Sequence, residues 1–166
     1  MAIVDEGAFK AAAGSFASGV TVVTTKHEGK VHGMTVSAFA SLSLDPMQIM
    51  VSLRTGSRLQ GMIEESKIFG VSILREDQKA IASHFATRGL DLQDGVFPQF
   101  PSDEHVTGSP IFQDAIAYFD CNVFTAYECG DHILFVGDVL AAGSNEGQPL
   151  GYYKGNYRSI TDLTGG

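Results

Sequence analysis

A run of small and hydroxyl-bearing residues in the first third of the chain constrains the fold more than any other feature. It reads GMTVSAFASLSLDP, from Gly33 to Pro46, and begins where a predicted strand ends. Such residues let the main chain approach a flat ligand, because N–H groups and short hydroxyls reach the edge of a polar-rimmed heterocycle without bulk. They also suit a plain polar loop between two strands. We expect a loop here that ends at Pro46.

Length and charge exclude several classes of protein. The 166 residues suit a single domain over residues 1–166, which buries roughly 70% of its unfolded surface. A net charge of −8 without a basic run argues against nucleic-acid binding, which depends on Lys and Arg. The N-terminus lacks a cationic start followed by an apolar core, and no apolar run reaches the ~20 residues that span a bilayer. We therefore expect a cytoplasmic protein that binds neither nucleic acid nor membrane.

The titratable residues favour chemistry that is supplied by a cofactor. Cys121 and Cys129 have no zinc-type spacing, and the five histidines form no metal-binding cluster, so we expect no metal and two free thiols. The chain also lacks a GxSxG elbow, a phosphate loop of the GxxxxGK[ST] type and a GxGxxG turn. If the protein is an enzyme, a bound cofactor provides its reactivity.

Hydrophobic periodicity predicts a mainly β fold with short helices. A helix from Asp5 to Gly14 carries a stripe that we expect to pack in the core. Around six or seven antiparallel strands favour a closed or partly closed barrel of Greek-key type. The stripe consists of Phe9, Ala12, Ala13 and Phe16. The predicted strands are Gly19–Lys26, Lys30–Val36, Met47–Leu53, Ile68–Leu74, Ala115–Glu128 and His132–Ala142, with a turn at Glu28 and Gly29 between the first two. The other predicted helices are Arg58–Glu65 and Glu76–Phe85, and Ala86–Gly108 is a long loop.

Four blocks of sequence, in order, resemble the short-chain flavin reductases that serve two-component monooxygenases. They are FASGVTVVT (16–24), the 33–46 segment, GDH (130–132) followed by FVGDV (135–139), and PLGYYKGNYR (149–158). The resemblance covers nearly the whole chain. It implies an FMN-binding split barrel, a homodimer with flavin sites near the subunit interface, and NADH- or NADPH-dependent reduction of FMN or FAD for a partner monooxygenase.

The same resemblance implies a set of flavin-binding residues. A helix that begins near Ser57 supports a phosphate contact there, because its unpaired N–H groups and a nearby guanidinium both favour an anion. The arginines would otherwise be ordinary solvated surface charges. Residues for the ring and ribityl chain are Met34, Thr35, Val36, Ser37, Ala38 and Ser41; those near the phosphate are Ser52, Leu53, Arg54, Ser57 and Arg58; those bordering the flavin tail are Phe85, Ala86 and Arg88.

A second set is implied for the pyridine nucleotide. His132, with Gly130 and Asp131, resembles the family motif that holds the nicotinamide nucleotide, and Tyr157 with Arg158 resembles a tail that closes over the same pocket. Hydride transfer requires mainly that the two rings stack at roughly 3 to 3.5 Å, so His132 is expected to position the nicotinamide without acting as an acid or base. A turn histidine of this kind is otherwise structural or solvent-facing.

Two departures from the family pattern and two other functions remain open. Met47 stands where many relatives have a second proline, and Arg54 where Asn is common, which leaves the choice between FMN and FAD undecided. One alternative is a non-enzymatic FMN-binding electron-transfer protein, which has no need of His132. Another is a barrel for a different planar ligand such as haem, which requires a His or Cys ligand.

Overall fold

The structure, a computed structural model, describes residues 3–160, so residues 1–2 and 161–166 of the predicted domain lie outside the described part. In chain order the elements are helix α1 (Glu6–Gly14), strands β1 (Ser18–Gly19), β2 (Thr21–His27), β3 (Lys30–Val36), β4 (Phe39–Leu44) and β5 (Met47–Arg54), helix α2 (Arg58–Ser66), strand β6 (Ile68–Ile73), a 3₁₀ helix (Glu76–Gln78), helix α3 (Lys79–Phe85), and strands β7 (Gln93–Asp94), β8 (Ser102–Glu104), β9 (Pro110–Phe112), β10 (Ala117–Cys129), β11 (His132–Ser144), β12 (Leu150–Tyr153) and β13 (Asn156–Ser159).

The fold is mainly β and antiparallel, as predicted. Eight strands form the principal sheet in the order β4-β5-β11-β10-β6-β2-β3-β7, and every neighbouring pair in it is antiparallel. Two smaller sheets have the orders β1-β12-β13 and β8-β9. The predicted turn at Glu28 and Gly29 joins β2 to β3, with φ angles of 48° and 75° that suit a tight two-residue hairpin. None of the described helices is long and apolar enough to cross a membrane.

The principal sheet is buried on both faces where it supports the cleft described below. Neighbouring residues of β2 point to opposite faces, so Val23 belongs to one hydrophobic cluster and Val22 to the other. Helix α2 covers the first cluster with Leu59 and Ile63, and α3 covers the second with Ile81, Ala82 and Phe85. The two helices are thereby fixed on either side of the β2–β3 hairpin.

The predicted loop between Val36 and Pro46 is wrong over most of its length. Phe39–Leu44 forms strand β4, which pairs with β5 from Phe39↔Val51 to Leu44↔Met47. Asp45 and Pro46 are therefore the turn of a tight hairpin and do not close a long loop. β4 is the end strand of the sheet and most of its residues are exposed, which explains why small and hydroxyl residues there hid the strand pattern.

The predicted core stripe on the first helix is also wrong. α1 forms as expected, with the amide of Ala8 donating to the Asp5 side chain at 2.8 Å, but it contains no buried residue. Phe9 is 66% exposed and Phe16 is 82% exposed. Helical spacing gave the helix correctly, but it could not say whether this chain supplies a surface for the stripe.

Other differences concern boundaries. The predicted helix Glu76–Phe85 divides into the 3₁₀ helix and α3, and the predicted loop Ala86–Gly108 contains the short strands β7 and β8. The C-terminal tail forms the hairpin of β12 and β13. Cys121 and Cys129 are both free thiols, as expected.

Two glycines test the packing of the sheet against a matched control. A Cβ on Gly137 in β11 would lie 2.5 Å from Cζ of Phe69, whereas one on Gly61 in α2 would meet no atom within 4 Å. We expect Gly137→Ala to lower the free energy of unfolding by about 1 to 3 kcal/mol through overpacking, and Gly61→Ala to raise it by up to about 1 kcal/mol. Urea denaturation measures both, and equal effects of the two changes would contradict this packing.

Candidate functional site

A cleft of about 750 Å³ lies between the second half of β3, the start of α2 and the segment after α3. A smaller cavity of about 90 Å³ adjoins it and shares three of its wall residues, His32, Phe85 and Leu90. The volume of the cleft falls within the ~300 to 1,000 Å³ of typical ligand sites. The cleft is lined by His32, Gly33, Met34, Thr35, Arg54, Thr55, Gly56, Ser57, Arg58, Phe85, Ala86, Thr87, Arg88, Gly89 and Leu90.

The wall formed by β3 presents an open strand edge to the cleft. β3 pairs with β2 along its whole length, but its other edge pairs with β7 only at Lys30 and Val31. In a hairpin closed by a two-residue turn, the pair next to the turn exchanges hydrogen bonds and alternate residues then direct their main-chain groups outward. By this alternation Gly33 and Thr35 turn their N–H and C=O groups toward the cleft.

Helix α3 holds this edge in place. The Thr35 hydroxyl donates to the Ala82 carbonyl at 2.7 Å, which ties β3 to the last turn of α3. The ring of Phe85 lies against Gly33, where a Cβ would approach it to 3.0 Å. A larger residue at position 33 would therefore push Phe85 into the cleft.

The opposite wall is the N-terminus of α2. Ser57 caps the helix, as the sequence suggested, by accepting a hydrogen bond from the Gln60 amide at 3.3 Å. The Gly56 amide donates to the Gln60 side chain at 3.0 Å. The Arg58 amide has no partner among residues 3–160, and Arg58 lines the cleft, so the first turn keeps one donor for an anion.

Three guanidinium groups surround this end of the cleft. Arg54 ends β5, Arg58 begins α2, and Arg88 lies in the segment after α3. Arg58 Nη1 donates to the Leu90 carbonyl at 2.8 Å, so it also secures the segment that forms the third wall. Three cations beside a helix N-terminus favour a phosphate or pyrophosphate group.

The turn between β10 and β11 lies next to Arg54. The Thr55 amide donates to the Asp131 carbonyl at 2.9 Å, and Arg54 is the register partner of His132. His132 Nδ1 donates to Asp131 Oδ1 at 2.7 Å. This hydrogen bond is the main cause of a lowered pKa of the Asp131 carboxyl, and the charges of His132 and Arg54 add to it. The imidazole is thus oriented by its neighbour and half-exposed. Neither His132 nor Asp131 is among the wall residues of the cleft.

His32 contributes an imidazole to both the cleft and the smaller cavity. Burial, reinforced by the positive charge of Arg58, lowers the pKa of His32 to about 4. The ring is therefore neutral at physiological pH. Nothing in the sequence patterns singled out this residue, because it precedes the small-residue run by one position.

The structure brings together eight of the residues that the sequence proposed. Met34, Thr35, Arg54, Ser57, Arg58, Phe85, Ala86 and Arg88 all line the cleft. Gly33, the first residue of the small-residue run, lines the cleft as well. Six other wall residues were missed: His32, Thr55, Gly56, Thr87, Gly89 and Leu90. Most of these residues are neighbours in sequence of a predicted residue. A prediction of continuous segments would therefore have included them, whereas a selection of individual residues left them out.

The remaining proposed residues lie elsewhere in this chain. The side chains of Val36 and Leu53 are buried in the first hydrophobic cluster, and neither residue lines the cleft. Ser41 lies on β4 and Ser52 on β5, while Ala38 accepts from the Ser52 amide at 3.1 Å just before β4. Gly130 is in the turn beside Asp131.

Ser37 and the two tail residues border separate hollows. Ser37 and Tyr157 line a pocket of about 170 Å³ that shares Thr35 and Ala86 with the cleft wall. Arg158 lines an open groove of about 430 Å³ with Lys79 and Glu76. Tyr157 is thus adjacent to the cleft within one chain, and Arg158 does not line it.

A family model described as a flavin reductase like domain matches residues 13–161. The NADH-dependent flavin reductase StyB of Pseudomonas fluorescens is 39% identical over 158 residues, which cover 93% of this chain and 89% of that protein.

Two solved structures have the same fold. The flavin reductase of styrene monooxygenase from Pseudomonas putida S12 superposes with a TM-score of 0.82 at 38% identity, covering 91% of this chain and 95% of the other. BorF, the flavin reductase component of a bacterial two-component tryptophan halogenase, superposes with a TM-score of 0.86 at 35% identity. The match covers 93% of this chain and 98% of BorF.

Proposed function

Because this chain belongs to the flavin reductase like family, we propose that it is an NADH-dependent flavin reductase that supplies reduced flavin to a separate oxygenase. The chain is 39% identical to an NADH-dependent flavin reductase over most of both chains. This similarity supports both the reaction and NADH as the electron donor. The two solved relatives are reductase components for a monooxygenase and a halogenase, which supports a flavin-dependent monooxygenase or a related flavin-dependent oxygenase as the partner.

The observation that carries this function is the junction of an open strand edge with a cationic helix N-terminus in one cleft. A flavin has a planar ring with a polar edge and an anionic tail. The outward main-chain groups of Thr35 suit the ring edge, those of Gly33 suit the ribityl chain, and the start of α2 with its guanidinium groups suits the phosphate. We assign Met34–Ala38 to the ring and ribityl chain, with Ser37 in the pocket that adjoins the cleft, and Arg54, Ser57, Arg58 and Arg88 to the phosphate.

A flavin held in this cleft would supply a hydride acceptor, and the residues of this chain would align it with the dihydronicotinamide. Main-chain donors along β3 are fixed before the reaction begins, so they favour negative charge on the ring without reorganising. No acid or base is required of the protein. His132, held by Asp131 at 2.7 Å, is assigned to orient the nicotinamide.

The proposed assembly is a cytoplasmic homodimer with the split-barrel form of its family. Large apolar side chains that stay exposed in this chain support a second copy as their cover, since a monomer seldom exposes many of them together. They include Leu42, Leu44 and Met47 around the β4–β5 turn, Phe124 and Tyr127 on β10, and Phe9 and Phe16 at the N-terminal helix.

Steady-state oxidation of NADH tests the function. Purified protein with NADH and a large excess of FMN or FAD is expected to consume NADH over many turnovers, at about 1 to 10³ per second as for typical enzymes. The control omits flavin, and the same comparison with NADPH tests the electron donor. A protein that reduces only one bound equivalent of flavin under anaerobic conditions would instead be an electron carrier.

A change at His132 separates nicotinamide positioning from flavin binding. We expect His132→Ala to raise the KM for NADH about tenfold, the equivalent of one lost hydrogen bond. The dissociation constant of the flavin should change by less than about twofold on the same basis. His105→Ala is the matched control, because His105 stacks on Tyr118 outside the cleft. NADH kinetics identical to those of the unmodified protein would reject this role.

A further inference from the structure

His32 lines the cleft, but the proposed contacts to the flavin ring and phosphate assign no role to it. Its side chain is only 6% exposed. His32 has no hydrogen-bond partner among residues 3–160. Every fully buried side-chain nitrogen in that range does have a partner, so the ring nitrogens of His32 are not fully buried. Its ring nitrogens must therefore reach open space, which is the cleft or the smaller cavity that His32 lines. A nearly buried polar group of this kind costs about 1 to 3 kcal/mol unless something binds to it.

The chemistry around His32 suits a sugar hydroxyl. A neutral imidazole donates one hydrogen bond and accepts another, as a hydroxyl does. Arg58 beside it only donates, and the Leu90 carbonyl, which takes Arg58 Nη1 at 2.8 Å, only accepts. Phosphate oxygens need donors alone and are served by the guanidinium groups. The combination of both kinds of partner favours a ribose next to a phosphate.

The position of His32 decides which part of a flavin it meets. β3 runs from His32 toward Val36, and at about 3.3 Å per residue Ser37 lies roughly 17 Å away along the chain. His32 is thus at the opposite end of the wall from Ser37 and Ala38, where Arg58 and Leu90 meet. With the ring on Met34–Ala38 and the phosphate on α2, the part of a flavin beyond its phosphate is the adenosine of FAD, which FMN lacks.

We propose that His32 hydrogen-bonds a ribose hydroxyl in the adenosine half of FAD and that this contact makes FAD the preferred flavin. The proposal rests on the proposed function, because it assigns the tail of the same flavin. The cleft of about 750 Å³ lies in the upper half of the range for small-molecule sites, as a dinucleotide requires. The smaller cavity of about 90 Å³ holds water in this arrangement, since even benzene fills a cavity of about 150 Å³.

Calorimetric titration with FAD, FMN and riboflavin tests the proposal. The unmodified protein is expected to bind FAD about tenfold more tightly than FMN, the value of one good hydrogen bond. His32→Phe keeps an aromatic ring and removes both hydrogen-bonding atoms. It should therefore weaken the binding of FAD about tenfold, and the binding of FMN or riboflavin by less than about twofold. His32→Asn, which retains a donor and an acceptor, should recover part of the FAD affinity. His105→Phe is the control with no expected effect.

Several results would overturn the assignment. Equal weakening of FAD and FMN binding would show that His32 contacts the part that both flavins share. No change in the binding of any flavin would show that the His32 nitrogens hydrogen-bond only to water. A change confined to the KM for NADH would assign it to the pyridine nucleotide.

A second measurement needs no variant. In the unmodified protein, adenosine, which carries no phosphate, should compete with FAD for binding and leave FMN binding unchanged; adenosine that competes with neither flavin would reject an adenosine subsite. These outcomes are independent of turnover. Flavin reduction with no FAD selectivity would remove this inference alone, whereas absence of reduction with any flavin would remove the proposed function.

Discussion

The incomplete pairing of β3 is the constraint on which the site depends. β7 covers the edge of β3 at Lys30 and Val31 and then ends, so the following residues keep main-chain groups that no strand satisfies. Unpaired edges normally invite aggregation, and proteins cover or blunt them. Here the edge lies in a cleft, with α3 fixing it from one face through the hydrogen bond between Thr35 and Ala82. A planar ligand with a polar rim can take the place of the missing strand.

The charge distribution complements this edge. The chain carries a net charge of −8, yet three arginines line one end of the cleft. Their concentration beside the first turn of α2 makes that end attractive to an anion in a protein that otherwise repels anions. The same charge suppresses protonation of His32, because burial and Arg58 together lower its pKa to about 4. One guanidinium therefore anchors the wall segment through Leu90, attracts the phosphate and adds to the burial that keeps the neighbouring imidazole neutral.

Local signals in the sequence predicted the elements that build the site. The pair Glu28 and Gly29 gave the β2–β3 hairpin, and Ser57 gave the start of α2, because turns and helix caps depend on residues close together in the chain. The pattern failed at β4, where exposure removed the usual alternation, and at α1, whose apolar stripe finds no cover within the chain. His32 was missed because its environment comes from α2 and the segment after α3, which are distant in sequence. Resemblance to a family assigned Arg54 to the flavin phosphate and His132 to the nicotinamide nucleotide. The structure makes them register partners of β5 and β11, and no local rule relates those two positions.

The most direct test of this account is a crystal structure of the protein with oxidised FAD. The account predicts that the isoalloxazine edge lies along the main chain at Thr35, with phosphate oxygens within hydrogen-bond distance of the Arg58 amide. A flavin bound at another surface, with the open edge of β3 filled by side chains or left to solvent, would contradict it.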